Sequence, residues 1–446
     1  MIASVSLLVL GLVQFTLALF DRAVGEGYTA LLLWLVPFTV GGLGVGVLPY
    51  VGTTPGIKND GIFHSAAKAR GWSGWLLGVL ITAFYCAVYW FPQYLSGLIN
   101  LVSPLYTTLT GKAADVATFE SVRNAGWDPR QWFLYGLLYT LAVAIMGARM
   151  GMRYRHNRYQ LIRTGSVVFF QLAFGFMIPQ FLQAMQQPEF YFTYFWPLKK
   201  EYFFPSDLKA LFASGHLGLF MAFWGVAMAF VATPVLTYFY GKRWYCSWVC
   251  GCGGLAETAG DPFRQLSDKS LNAWKFERWA IHIVLVLITV TTGLVWANSA
   301  SEGQMLGEAS QSATRWYGFL VGSVLSGVVG VGFYPIMGTR VWCRNFCPQA
   351  AILGLLQRFF SRFRITTNGG QCISCGNCST YCEMGIDVRA YAQRGENIIR
   401  ASCVGCGVCA AVCPRGVLKL ENGATSGDRF PNSDKPLQAF LDAIRK

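Results

Sequence analysis

The chain has 446 residues, of which 54% are hydrophobic and 13% charged, with a mean hydropathy of +0.40. That balance excludes an ordinary soluble globular protein and leaves a polytopic membrane protein of two or three domains. The net charge of +14 is read as Lys and Arg gathered in loops at one membrane face rather than as a nucleic-acid surface, and neither a G-x-G-x-x-G after a strand nor a P-loop is present.

Apolar runs near 2–20, 28–50, 73–99, 132–148, 164–184, 216–240, 279–297 and 316–337 are each long enough to cross a bilayer, so the expectation is an all-α membrane region of about eight transmembrane helices. The first basic residue is Arg22, which makes the first run a retained helix rather than a signal peptide. Basic residues concentrate in alternate loops: 52–71, 149–163, 241–278 and the stretch from Arg340 to Arg364. That alternation places these loops, both termini and the tail on the cytoplasmic side of a bacterial inner membrane. The remaining long loop, 185–215, is dense in aromatics from Phe190 to Phe204 and is read as an outer, interfacial segment.

Helices one to four carry no histidine and one cysteine, Cys86, which reads as a small buried apolar residue. His64 and His156 fall in loops. His216 opens helix six and His282 lies near the inner end of helix seven, at opposite faces, which disfavours a bis-histidine haem. Either could hydrogen-bond a quinone carbonyl, although an interfacial histidine more commonly has no such role.

After helix six the chain reads Gly241-Lys242-Arg243-Trp244-Tyr245-Cys246-Ser247-Trp248-Val249-Cys250-Gly251-Cys252. After helix eight it reads Gly338-Thr339-Arg340-Val341-Trp342-Cys343-Arg344-Asn345-Phe346-Cys347-Pro348. Both are G-x-R-x-aromatic-C-x3-C, an internal repeat at one membrane face. Spacing of i and i+4 on a helix would put both thiols of a pair on one side. If the two hairpins pack about a pseudo-twofold axis, Cys246, Cys250, Cys343 and Cys347 would meet in one metal site, a third iron–sulfur cluster being expected, with Cys252 as alternative ligand. Arg243 and Arg340 would offset its charge.

From about 365 the apolar runs stop. Two C-x2-C-x2-C-x3-C runs follow, Cys372-Cys375-Cys378-Cys382 and Cys403-Cys406-Cys409-Cys413, the second continued by Pro414. In two-cluster ferredoxins the fourth cysteine of each run ligates the other cluster. The expectation is therefore two [4Fe–4S] clusters, one held by Cys372, Cys375, Cys378 and Cys413 and one by Cys403, Cys406, Cys409 and Cys382. Gly376, Gly405 and Gly407 would relieve crowding in the turns. Zinc sites show paired C-x2-C instead. Glu383 stands where proline is expected after Cys382. Between 365 and 446 there are nine basic and seven acidic residues, a balance suited to a small α+β ferredoxin domain tethered at an anionic leaflet.

Helices five to eight, the paired C-x3-C motifs and the double-cluster runs together resemble the NosR/NapH/CcoG-type membrane ferredoxins over roughly residues 160–415. That resemblance implies a quinol-dehydrogenase or electron-conduit subunit acting with a partner redox subunit of a respiratory complex, a cytochrome being one candidate. One branch handles copper redox in oxidase assembly. Two departures stand out: Gly251-Cys252 replaces the family's proline in the first motif, and no counterpart of the large flavin domain of the NosR branch is found in these residues. The expected organisation is a four-helix region at 1–150, a core of two hairpins at 151–364 and the ferredoxin domain with its tail at 365–446. The leading functional reading is an oxidoreductase subunit exchanging electrons between membrane quinone and the clusters. The rivals are a copper-redox assembly factor, for which Cys246, Cys250 and Cys252 offer soft ligands, and a redox-sensing membrane anchor.

Overall fold

The computed structural model describes residues 2–19, 36–37, 40–41, 71–113, 115–125, 128–194, 197–198, 204–301 and 304–423. Among them, four helices are long and apolar enough to cross a membrane: Pro129–Arg153, Arg158–Ala184, His216–Tyr240 and Leu271–Ala300. A fifth is gained only if the pair Gly74–Trp90 and Pro92–Thr110, bent by 107°, counts as one span.

This corrects the expectation of about eight transmembrane helices. The apolar run 73–99 is not straight, because Pro92 cannot continue the preceding helix and the chain turns there. The run 316–337 lies on the helix Glu308–Tyr317, which continues as the glycine-rich π-helix Gly318–Gly332 and ends at Phe333 before the short helix Tyr334–Met337; it is not among the four. The first run forms the 18-residue helix Ile2–Leu19, which is not among the four. Most of the run 28–50, the basic loop 52–70, His64 and the end of the tail lie outside the described residues.

The helices that remain are defined by local chemistry. Asp128 caps Pro129–Arg153, Asn157 caps Arg158–Phe169 and Ser270 caps Leu271–Ala300, each side chain accepting a backbone N–H of the first turn. Ile283, Val286, Leu287, Val290 and Leu294 of the last of these are exposed, as a lipid-facing stripe requires. A separate apolar core joins Val88, Leu98, Ile99, Val102, Phe133 and Leu134 where the bent pair packs on Pro129–Arg153.

Among the described residues of the aromatic loop 185–215, Phe192 and Thr193 pack back against the helices: the Tyr245 hydroxyl donates to the Thr193 carbonyl at 3.0 Å, and the Trp224 indole donates to the Phe192 carbonyl at 3.1 Å. Phe190 and Leu211 belong to the same core as Cys246. Backbone at this depth survives because protein groups satisfy its carbonyls.

Beyond the helices, strands Arg364–Thr366 and Lys419–Glu421 pair antiparallel, Ile365 opposite Leu420, and close the two cysteine runs into one unit. Basic segments 149–163, 241–278 and 338–364 all reach this unit or one another. Arg149 and Arg153 pair with Asp261, Arg264 and Arg340 pair with Glu383, and Arg344 pairs with Glu277. These three basic segments therefore share one end of the helical bundle.

Candidate iron–sulfur sites

Each C-x3-C pair straddles a helix break rather than riding one helix. Cys246 ends Arg243–Cys246, and Cys250, in extended conformation, precedes Gly251–Glu257. Cys343 sits in Val341–Asn345, and Cys347, also extended, precedes Pro348–Phe360, its Sγ accepting from the Ala350 N–H at 3.4 Å. The expected i, i+4 face is thus replaced by a helix–turn–helix, and the turn has one pattern in both copies. The Tyr245 carbonyl accepts the N–H of Val249 and of Cys250, and the Trp342 carbonyl accepts that of Phe346 and of Cys347.

The two turns meet. Cys246 lies within electrostatic reach of Cys250 and Cys343, and Cys347 within reach of Cys343, Cys250 and Cys246. Cys252 hydrogen-bonds Cys250 and is exposed. The Cys250 turn is held from outside: the Tyr139 hydroxyl donates to the Gly251 carbonyl at 2.7 Å and the Gln171 amide to the Val249 carbonyl at 2.8 Å. Gln171 lies in the π-helix Phe170–Met177, an irregularity of the kind that often marks a functional position. Burial, first of all, pushes the Cys246 thiol up to about 12, with Lys242 and Arg340 opposing it. A bare Cys246 is therefore protonated at neutral pH, and a metal taking it must displace that proton, whereas the hydrogen bond with Cys252 brings Cys250 down to about 7.

In the C-terminal unit, Gly376 and Gly407 take left-handed backbone and open matching short helices, Asn377–Thr380 and Val408–Ala411, each carrying the third cysteine of its run. Cys378 lies beside Cys413, Cys375 and Cys372, and those four line one small cavity. Cys409 lies beside Cys406, Cys403 and Cys382. The fourth cysteine of each run is thus grouped with the opposite run. Burial pushes the Cys378 thiol up to about 12 and Cys403 up to about 11. Two sets of four buried or half-buried thiols, crossed between runs, are a donor set that fits cubane clusters.

Sequence reasoning missed what lies between these sites. Glu257 is fully enclosed by Arg163 at 2.6 Å, Arg264 at 2.9 Å and Arg340 at 2.6 Å. Glu383, in the position where proline was expected, pairs with Arg264 at 2.7 Å and Arg340 at 3.1 Å. Burial would raise the Glu257 carboxyl, but the three guanidiniums hold it well below the usual carboxylate range. Burial and the adjacent Glu257 push Glu383 up instead. Glu257, Glu383 and Cys406 bring ligand atoms within 4.8 Å of one another. With the guanidiniums already on both carboxylates, this trio is a charge network rather than a cation site. Arg340 also donates to Cys343 Sγ at 3.7 Å, as expected of it, whereas Arg243 stacks on the Phe363 ring at 4.7 Å and leaves its expected place to buried Lys242.

The histidines are not gathered. His216 and His282 are both exposed, and His282 Nδ1 bonds the Arg278 carbonyl of its own helix at 2.6 Å. An apolar cavity of about 240 Å³ lies elsewhere, walled by Tyr85, Tyr135, Tyr139, Tyr334, Leu77 and Phe263. Tyr135, Tyr139 and Tyr334 lie close to Cys252.

Comparison with known proteins agrees with this geometry. A family model described as a 4Fe-4S binding domain matches residues 222–270 and 320–366, the two C-x3-C segments, and one described as a 4Fe-4S dicluster domain matches 364–414. The chain is 29% identical over 161 residues to the methylamine utilization ferredoxin-type protein MauN of Methylobacillus flagellatus, covering 34% of this chain and 54% of that protein. It is 26% identical over 175 residues to the ferredoxin-type protein NapH of Escherichia coli, covering 38% and 56%. It is 29% identical over 208 residues to MauN of Paracoccus denitrificans, covering 44% and 67%. The chain spans about half the length of the first of these curated relatives. No solved structure matches it. The chain is thus a multi-pass membrane protein with iron–sulfur-type domains, similar to ferredoxin-type proteins.

Proposed function

We propose that this protein is a membrane oxidoreductase subunit that passes electrons between membrane quinone and iron–sulfur clusters, and on to a partner redox subunit. The observation that carries this reading is the convergence of the C-x3-C thiols directly beneath the second cysteine run. Cys372, Cys375, Cys378 and Cys413 hold one [4Fe–4S] cluster, and Cys403, Cys406, Cys409 and Cys382 a second. Cys246, Cys250, Cys343 and Cys347 hold a third metal centre, with exposed Cys252 in reserve. When bound, these groups supply one-electron redox chemistry.

The protein's own residues do the rest. Burial of the thiols keeps water from the donor sets, and Arg264, Arg340 and Lys242 offset the negative charge that thiolates bring. The tyrosine-walled cavity suits a lipophilic quinol head, with tyrosines set among otherwise apolar walls. The basic end of the bundle, and the clusters with it, faces the cytoplasm.

The test is direct. Purified protein given a quinol analogue should develop the spectroscopic signals of reduced clusters. Fully loaded protein that stays oxidised with every quinol tried would overturn the quinone assignment. Copper-dependent oxidase assembly in a deletion strain would favour the copper reading, for which the Cys250–Cys252 hydrogen bond offers a soft ligand pair.

A further inference from the structure

The two cysteine runs are not equivalent toward the membrane region. Four successive backbone carbonyls of the second run are each taken by a side chain of the helical bundle. Gln357 donates to Cys403 at 2.8 Å, Ser247 to Val404 at 2.8 Å, Tyr159 to Gly405 at 2.9 Å and Gln160 to Cys406 at 2.8 Å. The first run instead turns outward: Ile373 is 58% exposed, and Ser374 bonds only Gln393 of the same unit.

Three connections then run from the C-x3-C thiols to the second run. Ser247, next to Cys246, bonds Val404, next to Cys403. Lys242, fully buried, lies within electrostatic reach of both Cys246 and Cys403. Arg340, at 3.7 Å from Cys343 Sγ, and Arg264, at 3.8 Å from Cys406 Sγ, are tied together by Glu257 and Glu383.

We propose that Ser247, Lys242 and the Arg340–Glu257/Glu383–Arg264 chain form the electron junction between the C-x3-C centre and the second-run cluster. The second-run cluster is then the membrane-proximal carrier, and the first-run cluster is the distal one that faces a partner. This rests on the ligand sets of the proposed function. Across the junction one electron moves from a reduced centre to an oxidised one, with no bond made or broken and no proton required. Arg264 and Arg340 are positioning residues: their fixed charge favours the reduced, more negative state of whichever centre they touch, and so sets the driving force between the two.

The test is a potentiometric titration followed by electron paramagnetic resonance on the whole detergent-purified protein, with signals assigned by comparison with Cys375→Ser. Arg264→Gln should disfavour reduction of the second-run cluster about tenfold, about 59 mV for one electron, and leave the first-run potential in place. Glu257→Gln removes a negative charge and should shift the same potential in the opposite direction. Arg264→Lys should restore most of it, which a purely structural role does not predict. If Arg264→Gln fails to assemble, Glu257→Gln and Arg264→Lys decide. Equal shifts of both ferredoxin clusters, or shifts of one sign in the Arg264 and Glu257 variants, or no shift, overturn the junction. Absence of cluster signals from loaded wild-type protein would instead overturn the ligand sets.

Discussion

Glu383 and Arg264 form an ion pair of 2.7 Å in which neither side chain is exposed at all, joining the C-terminal unit to the loop after Gly251–Glu257. Such a pair contributes little beyond an apolar replacement, but removing one member leaves a charge stranded. Glu383→Ala strands part of Arg264 and Arg340, and is expected to destabilise the protein by about 3–5 kcal/mol. Thermal unfolding in detergent, with limited proteolysis of the C-terminal unit, reads this out. A melting temperature equal to that of the wild type would show that the pair does not fasten the unit.

Asp261 gives the pH dependence. Its burial pushes the carboxyl up, but Arg264, Arg153 and Arg149 together pull it below its ordinary value. A carboxyl depressed in the folded state contributes stability above its unfolded value, about 3.9, and that contribution is lost as pH falls from there through the folded value. The wild type is therefore expected to lose stability on acidification below about pH 4, within the range where carboxylates titrate. Asp261→Asn should be less stable at pH 7 and show a shallower acid slope. Parallel melting curves for the two proteins from pH 7 to pH 3 would contradict this.

How much of this was legible in the sequence differs by feature, for physical reasons. The cysteine quartets were readable because a cluster demands fixed ligand spacing, and the structure brings Cys413 to the first run and Cys382 to the second. The C-x3-C repeat was readable as a repeat, but not as a helix break, since Cys-x3-Cys spacing matches a helical face as well as it matches a turn. The helix count failed where composition cannot see geometry: Pro92 bends one apolar run by 107°. Glu257 and Asp261 gave no signal, because a buried carboxylate is announced only by arginines distant in sequence. Glu383 gave one, as the residue in proline's place, and its meaning needed Arg264 and Arg340 beside it. The aromatic loop was taken as interfacial, and the contacts of Phe192 and Thr193 with Trp224 and Tyr245 were not legible, because the partners lie far along the chain.

Gly241 tests the repeat itself. It and Gly338 open the two copies with positive φ, +66° and +89°. A Cβ on Gly241 would also meet Gln357 Oε1 at 2.5 Å and Phe363 at 2.7 Å. Gln357 holds the Lys242 N–H and the Cys403 carbonyl. Gly241→Ala is expected to cost about 1–3 kcal/mol from backbone strain alone, and to lower the iron content of both the C-x3-C centre and the second-run cluster. Unchanged iron and unchanged melting would show that the turn tolerates a side chain.

Crossed ligation is checked by Cys413→Ser. Cys413 sits with Cys372, Cys375 and Cys378 although it belongs to the second run. The substitution should damage the first-run cluster and leave that of Cys403, Cys406 and Cys409 intact. Spectroscopic damage confined to the second-run cluster would refute the crossing.

The C-x3-C centre makes the last prediction. Cys246, Cys250, Cys343 and Cys347 converge from two turns of one design, with Arg340 donating to both the Cys246 carbonyl at 3.2 Å and the Cys343 thiol at 3.7 Å. A packing motif alone would not require two buried cations, Lys242 and Arg340, set beside the Cys246 and Cys343 thiols, which burial pushes up. A disulfide is disfavoured in a reducing compartment, and all four thiols are free in the structure. Loaded wild-type protein should carry about four more irons than a Cys246→Ser, Cys343→Ser double variant, as one cubane requires, while the ferredoxin signals remain. Cys252 is exposed and bonded to Cys250, so Cys252→Ser should keep the full iron count if it is a reserve ligand. Loss of iron in Cys252→Ser with retention in Cys250→Ser would assign the ligand to Cys252 instead. Equal iron in the double variant and the wild type would mean that these cysteines hold no cluster.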